Sequence, residues 1–238
     1  MDKKQQHHTV MDYLRWRGDL TFAADPFNEV DQLILCIIAY LNFRRFPSLT
    51  MVKAGEATPL RTLAPLLRSE DEQQGLSQLE YLPLLRTAAE SRRFGEVGIF
   101  GYVTEKDISE EKQFDAVTFR LPDGSLFCAF MGTDTSIIGW KEDLNLSHLP
   151  AVPAQRRAVE YMEAIAAANR GRLLRLGGHS KGGTWPCTPP STCRPVCKSA
   201  SRRPIITMAP VLPYLRGKRN AIFTWRSAST AIFPPSLS

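Results

Sequence analysis

The sequence predicts an α/β sandwich, and three observations carry that expectation. Two strand-like runs, Gln113 to Arg120 and Leu126 to Phe130, are joined by a turn. A helical stretch opens at Val152-Pro153, and an apolar strand, Leu173-Leu174-Arg175-Leu176, then runs into Gly-x-Ser-x-Gly at Gly178-His179-Ser180-Lys181-Gly182. Strand, loop, helix, strand and glycine-bounded turn is the order of a strand layer covered by helices.

The glycine-bounded turn is the most specific feature. In a nucleophile elbow the Ser occupies a strained turn between strand and helix, so the flanking positions must be small for the backbones to pass. Gly178 and Gly182 meet that need around Ser180, with Gly183 following. The alternative is a glycine-rich turn carrying a surface Ser.

Upstream, Asp25-Pro26-Phe27-Asn28-Glu29-Val30-Asp31 reads as a helix start, with Asp or Asn as cap and acids suiting the dipole. Leu33, Ile34, Ile37, Ile38 and Leu41 continue it at three- and four-residue spacing. Thr58-Pro59 to Arg68 and Leu76 to Arg92 predict two further helices, joined by an acidic loop over Ser69 to Gly75 and interrupted by Pro65 and Pro83. The period changes near residue 95. Val97 to Val103 is apolar and glycine-punctuated, and Gln113 to Arg120 alternates like a half-buried strand. Leu121-Pro122-Asp123-Gly124-Ser125 is a turn, since Pro fixes φ and Gly accepts a positive one. Leu126 to Phe130 pairs back and delivers the chain to Met131-Gly132-Thr133-Asp134. A loop at such a strand end presents a backbone N–H and a hydroxyl toward a reacting carbonyl, with Trp140 and Asp143 bracing it; an ordinary strand-to-helix loop is the competing reading. The helix from Val152-Pro153 carries Val159, Met162 and Ile165 and stops near Asn169-Arg170-Gly171.

At 238 residues the chain fits one domain. Its polar first residues lack an apolar signal core, and the longest apolar run, Leu33 to Leu41, is too short for a bilayer, so a cytoplasmic protein is expected. The net charge of +6 is unevenly spread: from Lys181 onward there are nine Lys or Arg and no Asp, Glu or His. Nine of the 17 prolines also fall there. Such a break signals a new domain, a disordered basic tail or a fault in the reading frame. Five cysteines, an odd number, argue against a disulfide framework. Cys187, Cys193 and Cys197 have no His near them, so neither a metal nor a cofactor is expected.

Asp25 to Phe43, Phe130-Met131-Gly132-Thr133-Asp134 with Gly139-Trp140-Lys141-Glu142-Asp143, Val152-Pro153-Ala154-Gln155 and Gly177 to Gly183 together resemble the bacterial Mbeg-like family, a domain of unknown function. That family looks like a branch of the α/β-hydrolases close to the fungal-type lipases, and the resemblance covers roughly residues 10 to 183. It implies an α/β-hydrolase-like (lipase-like) sandwich, here C-terminally incomplete, acting on a small-molecule ester or lipid. Ser180 would be the nucleophile. The backbone N–H of Lys181 and Thr133 would form the oxyanion hole, supported by Gly132, Trp140, Asp143, Gly178 and Gly182. Met131 departs from the family, which usually has Arg there.

A serine hydroxyl needs a base, and in α/β-hydrolases the order is Ser, acid, His. After Ser180 the chain has neither an acid nor a His, so the triad cannot be completed in that order. His179 should point away from Ser180 at an elbow, His148 would approach only in a foreign geometry, and His7 and His8 lie in a polar end. The family continues after the elbow with an apolar helix beginning Asn-Leu-Ala-Val-Tyr, whereas Thr184-Trp185-Pro186-Cys187-Thr188-Pro189-Pro190 cannot be a helix interior. Joining the last base of each codon to the first two of the next allows Leu-Ala-Val-Tyr over Thr184 to Thr188. The same frame allows Tyr-Asn-Asn-Asp-Gly-Pro-Gly-Phe over Pro204 to Leu212, and the family carries Asn-Asp-Gly-Pro-Gly-Phe at about this distance. Residues 1–183 are therefore expected to be the N-terminal part of one hydrolase-like domain, and 184–238 a frame-shifted or disordered Pro/Arg-rich tail.

Two other readings stay open. A pseudoenzyme or binding protein could use the basic tail on nucleic acid or an anionic membrane, although the tail has no nucleic-acid motif and no aromatic interleaving. A zinc or redox module built on the three tail cysteines is the third. No specific nucleic acid and no transmembrane segment are expected.

Overall fold

The computed structural model describes residues 9–72, 81–132, 137–145, 152–178 and 182. In chain order these form helices α1 (Val10–Arg17) and α2 (Glu29–Ile38), strand β1 (Thr58–Pro59), helices α3 (Leu60–Leu63) and α4 (Tyr81–Glu90) and strands β2 (Gly98–Asp107), β3 (Lys112–Arg120) and β4 (Leu126–Phe130). Helices α5 (Ile137–Asn145) and α6 (Pro153–Ala168) and strand β5 (Leu174–Gly178) follow. The strands form one sheet in sequence order, antiparallel from β1 to β4 and parallel between β4 and β5. A parallel pair needs a crossover, and α5 and α6 lie in the connection between β4 and β5. The fold is mixed α/β, as expected.

Alternation along the strands sorts the core onto two faces. Val117, Phe119, Phe127 and Ala129 join one cluster with α2 and α4 residues such as Leu35, Ile38, Leu85 and Ala88. Phe114, Ala116, Leu126, Cys128 and Phe130 face the other way, with Ala158, Tyr161, Met162 and Ile165 of α6. Gln113 to Arg120 was expected to be half-buried, but residues 113–119 of β3 are buried throughout, because helices cover both faces. Each fully buried Phe contributes about 1.5–3 kcal/mol.

A bulge in β2 keeps this sorting consistent. Pairing with β3 shifts between Phe100 and Val103, and Gly101 there has φ of 66°. Ile99 and Tyr102 therefore share the first face, while Phe100 and Val103 share the second. A side chain on Gly101 would also meet the Tyr161 hydroxyl at 3.0 Å.

The helix boundaries depart from the sequence expectation in physical ways. Of the two residue types expected to cap α2, Asn28 does so: its Oδ1 accepts from the Val30 and Asp31 amides at 2.9 and 3.2 Å, and Asp31 Oδ2 accepts from the Asn28 amide at 2.9 Å. The helix ends at Ile38, before Leu41. The stretch from Thr58 to Arg68 is not one helix: β1 pairs with β2, α3 lasts four residues, and a 3-10 turn, Ala64–Leu66, takes over around Pro65. Of the Leu76 to Arg92 stretch, α4 is described over Tyr81–Glu90 and includes Pro83, while residues 76–80 lie outside the described residues. The predicted β3–β4 turn is present, with Gly124 at φ of 80° and Ser125 bonding Asp123 Oδ1 through its amide and hydroxyl at 2.9 and 2.6 Å. α6 begins at Pro153 as expected, and Gln155 Oε1 accepts the Val152 amide at 3.0 Å.

The first face is locked by a buried ion pair. Arg93 Nε and Nη2 donate to Asp31 at 2.7 and 2.5 Å, with both side chains fully buried. Arg93 Nη1 also donates to the carbonyls of Asp25 and Leu20, at 3.0 and 3.3 Å. Burial works against the Arg93 charge, but the hydrogen bonds and attraction of Asp31 outweigh it and hold its pKa above the ordinary value.

Candidate active site

The site is defined by where β4 and β5 end. They run parallel in register, with Phe130 beside Gly178, so both chains leave the sheet at the same edge. Ligands of open α/β sheets bind outside such carboxyl ends. On the β4 side the departing residues are Met131 and Gly132, both buried. On the β5 side the strand ends at Gly178.

Gly182 brings the chain back onto β4. A Cβ at Gly182 would collide with the Phe130 carbonyl oxygen and stand 2.6 Å from that of Met131. Only a glycine lets the backbone pass this close. Three residues, 179–181, thus connect two points fixed at the ends of adjacent strands.

Gly132 is held by side chains from beyond its own strand. Met131 N–H donates to the Asp115 carbonyl at 3.0 Å, continuing the β3–β4 ladder. The Gly132 N–H instead donates to the Tyr40 hydroxyl at 2.8 Å. Gln113 Nε2 donates to Asp115 Oδ2 at 2.8 Å and lies 3.4 Å from the Gly132 carbonyl oxygen. A carboxylate only accepts, so the nitrogen of the Gln113 amide is the atom that faces Asp115. Burial and then the nearby Asp115 carboxylate push Tyr102 up to about 12. Tyr40 is raised too, chiefly by burial, and stays a neutral phenol that can accept from Gly132.

The β2–β3 hairpin tip anchors α5. Glu111, at φ of 48°, receives Lys141 Nζ and Asn145 Nδ2, each at 3.1 Å. Those two hydrogen bonds hold the Glu111 carboxyl below its ordinary pKa. On α5, Gly139 is buried, while Trp140 and Leu144 are 66% and 69% exposed.

Of the residues singled out by sequence, Gly132, Gly178 and Gly182 meet at this strand edge, and Trp140 lies on α5. Asp143 also falls within α5, but its side chain is outside the described part. Ser180, Thr133, Lys181 and His179 lie outside the described residues, as do His7, His8, His148 and the whole stretch from 183 onward. Tyr40, Gln113 and Asp115 were not singled out from sequence. Buried polar residues within apolar runs are the one signal that could have marked Gln113 and Asp115.

Among the described residues no group of His, Cys, Asp and Glu could hold a metal ion, and no helix is long and apolar enough to cross a membrane. Cys36 and Cys128 are buried and free, and burial pushes both thiols up to about 12, far from the reactive thiolate range.

Fold and site together define a mixed α/β protein whose parallel strands β4 and β5 end side by side, with Gly182 packed against the end of β4. A family model described as Mbeg1-like matches residues 88–193, so over somewhat under half its length the chain is similar to that family. The matched span runs from the end of α4 through β5, past Ser180, and stops ten residues beyond Gly183. Residues 10–87, included in the resemblance read from sequence, lie outside it. No curated protein and no solved structure matches the chain.

Proposed function

We propose that this strand edge is the active site of a lipase- or esterase-like serine hydrolase of the α/β-hydrolase type. The observation that carries the reading is the close approach of Gly182 to the carbonyls of Phe130 and Met131, four residues after β5 ends. Ser180 stands between those clamps in sequence and would attack an ester carbonyl. The N–H groups of Thr133 and Lys181 would receive the developing oxyanion, and Gly132, Trp140, Asp143 and Gly178 would support the two loops.

Ser180 cannot act alone, because a base must take its proton. No acid or His follows it in this chain, so the copy is expected to be inactive. The same observation supports a frame-shifted tail from about residue 184, since the shifted frame restores both an apolar helix and an Asn-Asp-Gly-Pro-Gly-Phe segment with a candidate triad acid. Reading the nucleotide sequence decides that point: codons that cannot spell the helix sink it.

Labelling with a fluorophosphonate probe tests the chemistry. A frame-restored chain should be labelled, a Ser180→Ala version of it should not, and the present chain should stay unlabelled. Labelling of the present chain at Ser180 would overturn the missing-base argument; a silent restored chain would overturn the hydrolase reading. The nine unopposed cations favour a second reading, a non-catalytic protein whose tail contacts nucleic acid or an anionic membrane. Affinity of the full chain for RNA or DNA that persists at physiological salt would support it.

A further inference from the structure

We propose that Tyr40 and Gln113 are positioning residues for the oxyanion loop, acting through Gly132; this rests on the serine-hydrolase reading above. After the Met131 amide bonds Asp115, β4 leaves its ladder, yet the next peptide groups are not released. Tyr40, 6% exposed, accepts the Gly132 N–H at 2.8 Å, and Gln113, 1% exposed, approaches the Gly132 carbonyl at 3.4 Å. The strand end is thus gripped by the helical layer on one side and by β3 on the other. Asp115 keeps the Gln113 amide turned toward that grip.

The consequence follows from peptide geometry. A peptide is planar and trans, so the direction of the Gly132 carbonyl sets the direction of the following N–H, which points the opposite way. That N–H belongs to Thr133, the proposed oxyanion donor. An oxyanion donor contributes only when aimed at the charge that develops in the transition state. Tyr40 reaches this loop from 92 residues away in sequence and from outside the 88–193 match. The helical layer therefore supplies an aiming function to the part of the chain that carries the chemistry.

Tyr40→Phe keeps the ring, including its stacking on Tyr81 at 6.0 Å, and removes the hydroxyl that accepts the Gly132 N–H. In the full chain as it stands, amide exchange at Gly132 should accelerate about tenfold or more. In the frame-restored chain, kcat for p-nitrophenyl acetate should fall about tenfold to a hundredfold with KM little changed. Tyr13→Phe is the control: it removes a hydroxyl from the same helical layer, one that bonds Asp31 at 3.0 Å, and should leave kcat unchanged. Unchanged exchange at Gly132 overturns the proposal, as does an equal loss of kcat in both variants or none in Tyr40→Phe. A restored chain with no esterase activity before substitution overturns the hydrolase reading itself, and with it the catalytic purpose of the grip.

Discussion

The two faces of the sheet are held by different chemistry. On the helical face the deepest contact is charged: Arg93 and Asp31, fully buried, tie α2, which precedes the family match, to the segment after α4, which lies within it, and to the loop carbonyls of Leu20 and Asp25. On the α6 face the deepest polar contact is neutral. Tyr161 donates to the Gly101 carbonyl at 2.8 Å, so the Thr118 hydroxyl must donate to Tyr161 at 2.7 Å, and the Cys128 thiol to Thr118 at 3.2 Å. The elevated Cys128 pKa, about 12, keeps that proton in place. A buried charge fails expensively, because its partner is stranded in low dielectric; a neutral chain fails by one hydrogen bond.

Arg93→Met should therefore show the largest effect, a loss of about 3–5 kcal/mol in urea unfolding, because Asp31 remains buried without its guanidinium. Adding Asp31→Leu should recover part of this, and only part, since Asp31 also closes the α2 capping box. Full additivity of the two single losses would break the account of a coupled pair. At the edge shared by both faces, Gly182→Ala should cost about 1–3 kcal/mol, because the new methyl has nowhere to go against the β4 carbonyls. A neutral outcome by thermal melting would mean that residue 182 does not rest on β4. Tyr161→Phe should cost less, about 1–2 kcal/mol, with the Gly101 carbonyl losing its donor. A loss as large as that of Arg93→Met would erase the contrast between the faces.

How much of this was legible in the sequence depended on range. Local chemistry was readable: the Pro122 to Gly124 turn, Pro153 at the start of α6, the strand that ends in Gly178. So was the need for a small residue at 182, where a Cβ would collide with the β4 carbonyls. The bulge at Gly101 was not, since its glycine was visible but the partner register that needs it lies on β3. Nor was the burial of β3 on both faces, which depends on α6 arriving some forty residues later. The grips on Gly132 and Arg93 join residues 92 and 62 positions apart, and nothing in a single sequence pairs them.

The smallest effect is expected at the rim of the helical face, where one partner of a charge pair, Arg45, is open to water while Asp71 is buried. Arg45 contacts Asp71 through Nε and Nη2, at 2.9 and 2.7 Å, and the Arg68 amide donates to the same carboxylate at 2.7 Å. Burial tends to raise the Asp71 carboxyl, but these bonds outweigh it and hold the pKa below the ordinary 3.8. A carboxyl with a depressed folded-state pKa contributes stability that is fully present above its unfolded value and is lost as pH falls through the folded one. Asp71→Asn should thus shift the neutral-pH melting temperature slightly and flatten the acid limb of stability below about pH 4. Arg45 is 36% exposed at its side chain, so water and salt screen its half of the pair, and the effect should shrink further at high ionic strength. An Asp71→Asn loss as large at neutral pH as that of Arg93→Met, insensitive to salt, would mean that the rim pair is as desolvated as the core pair, and that depth is not what separates them.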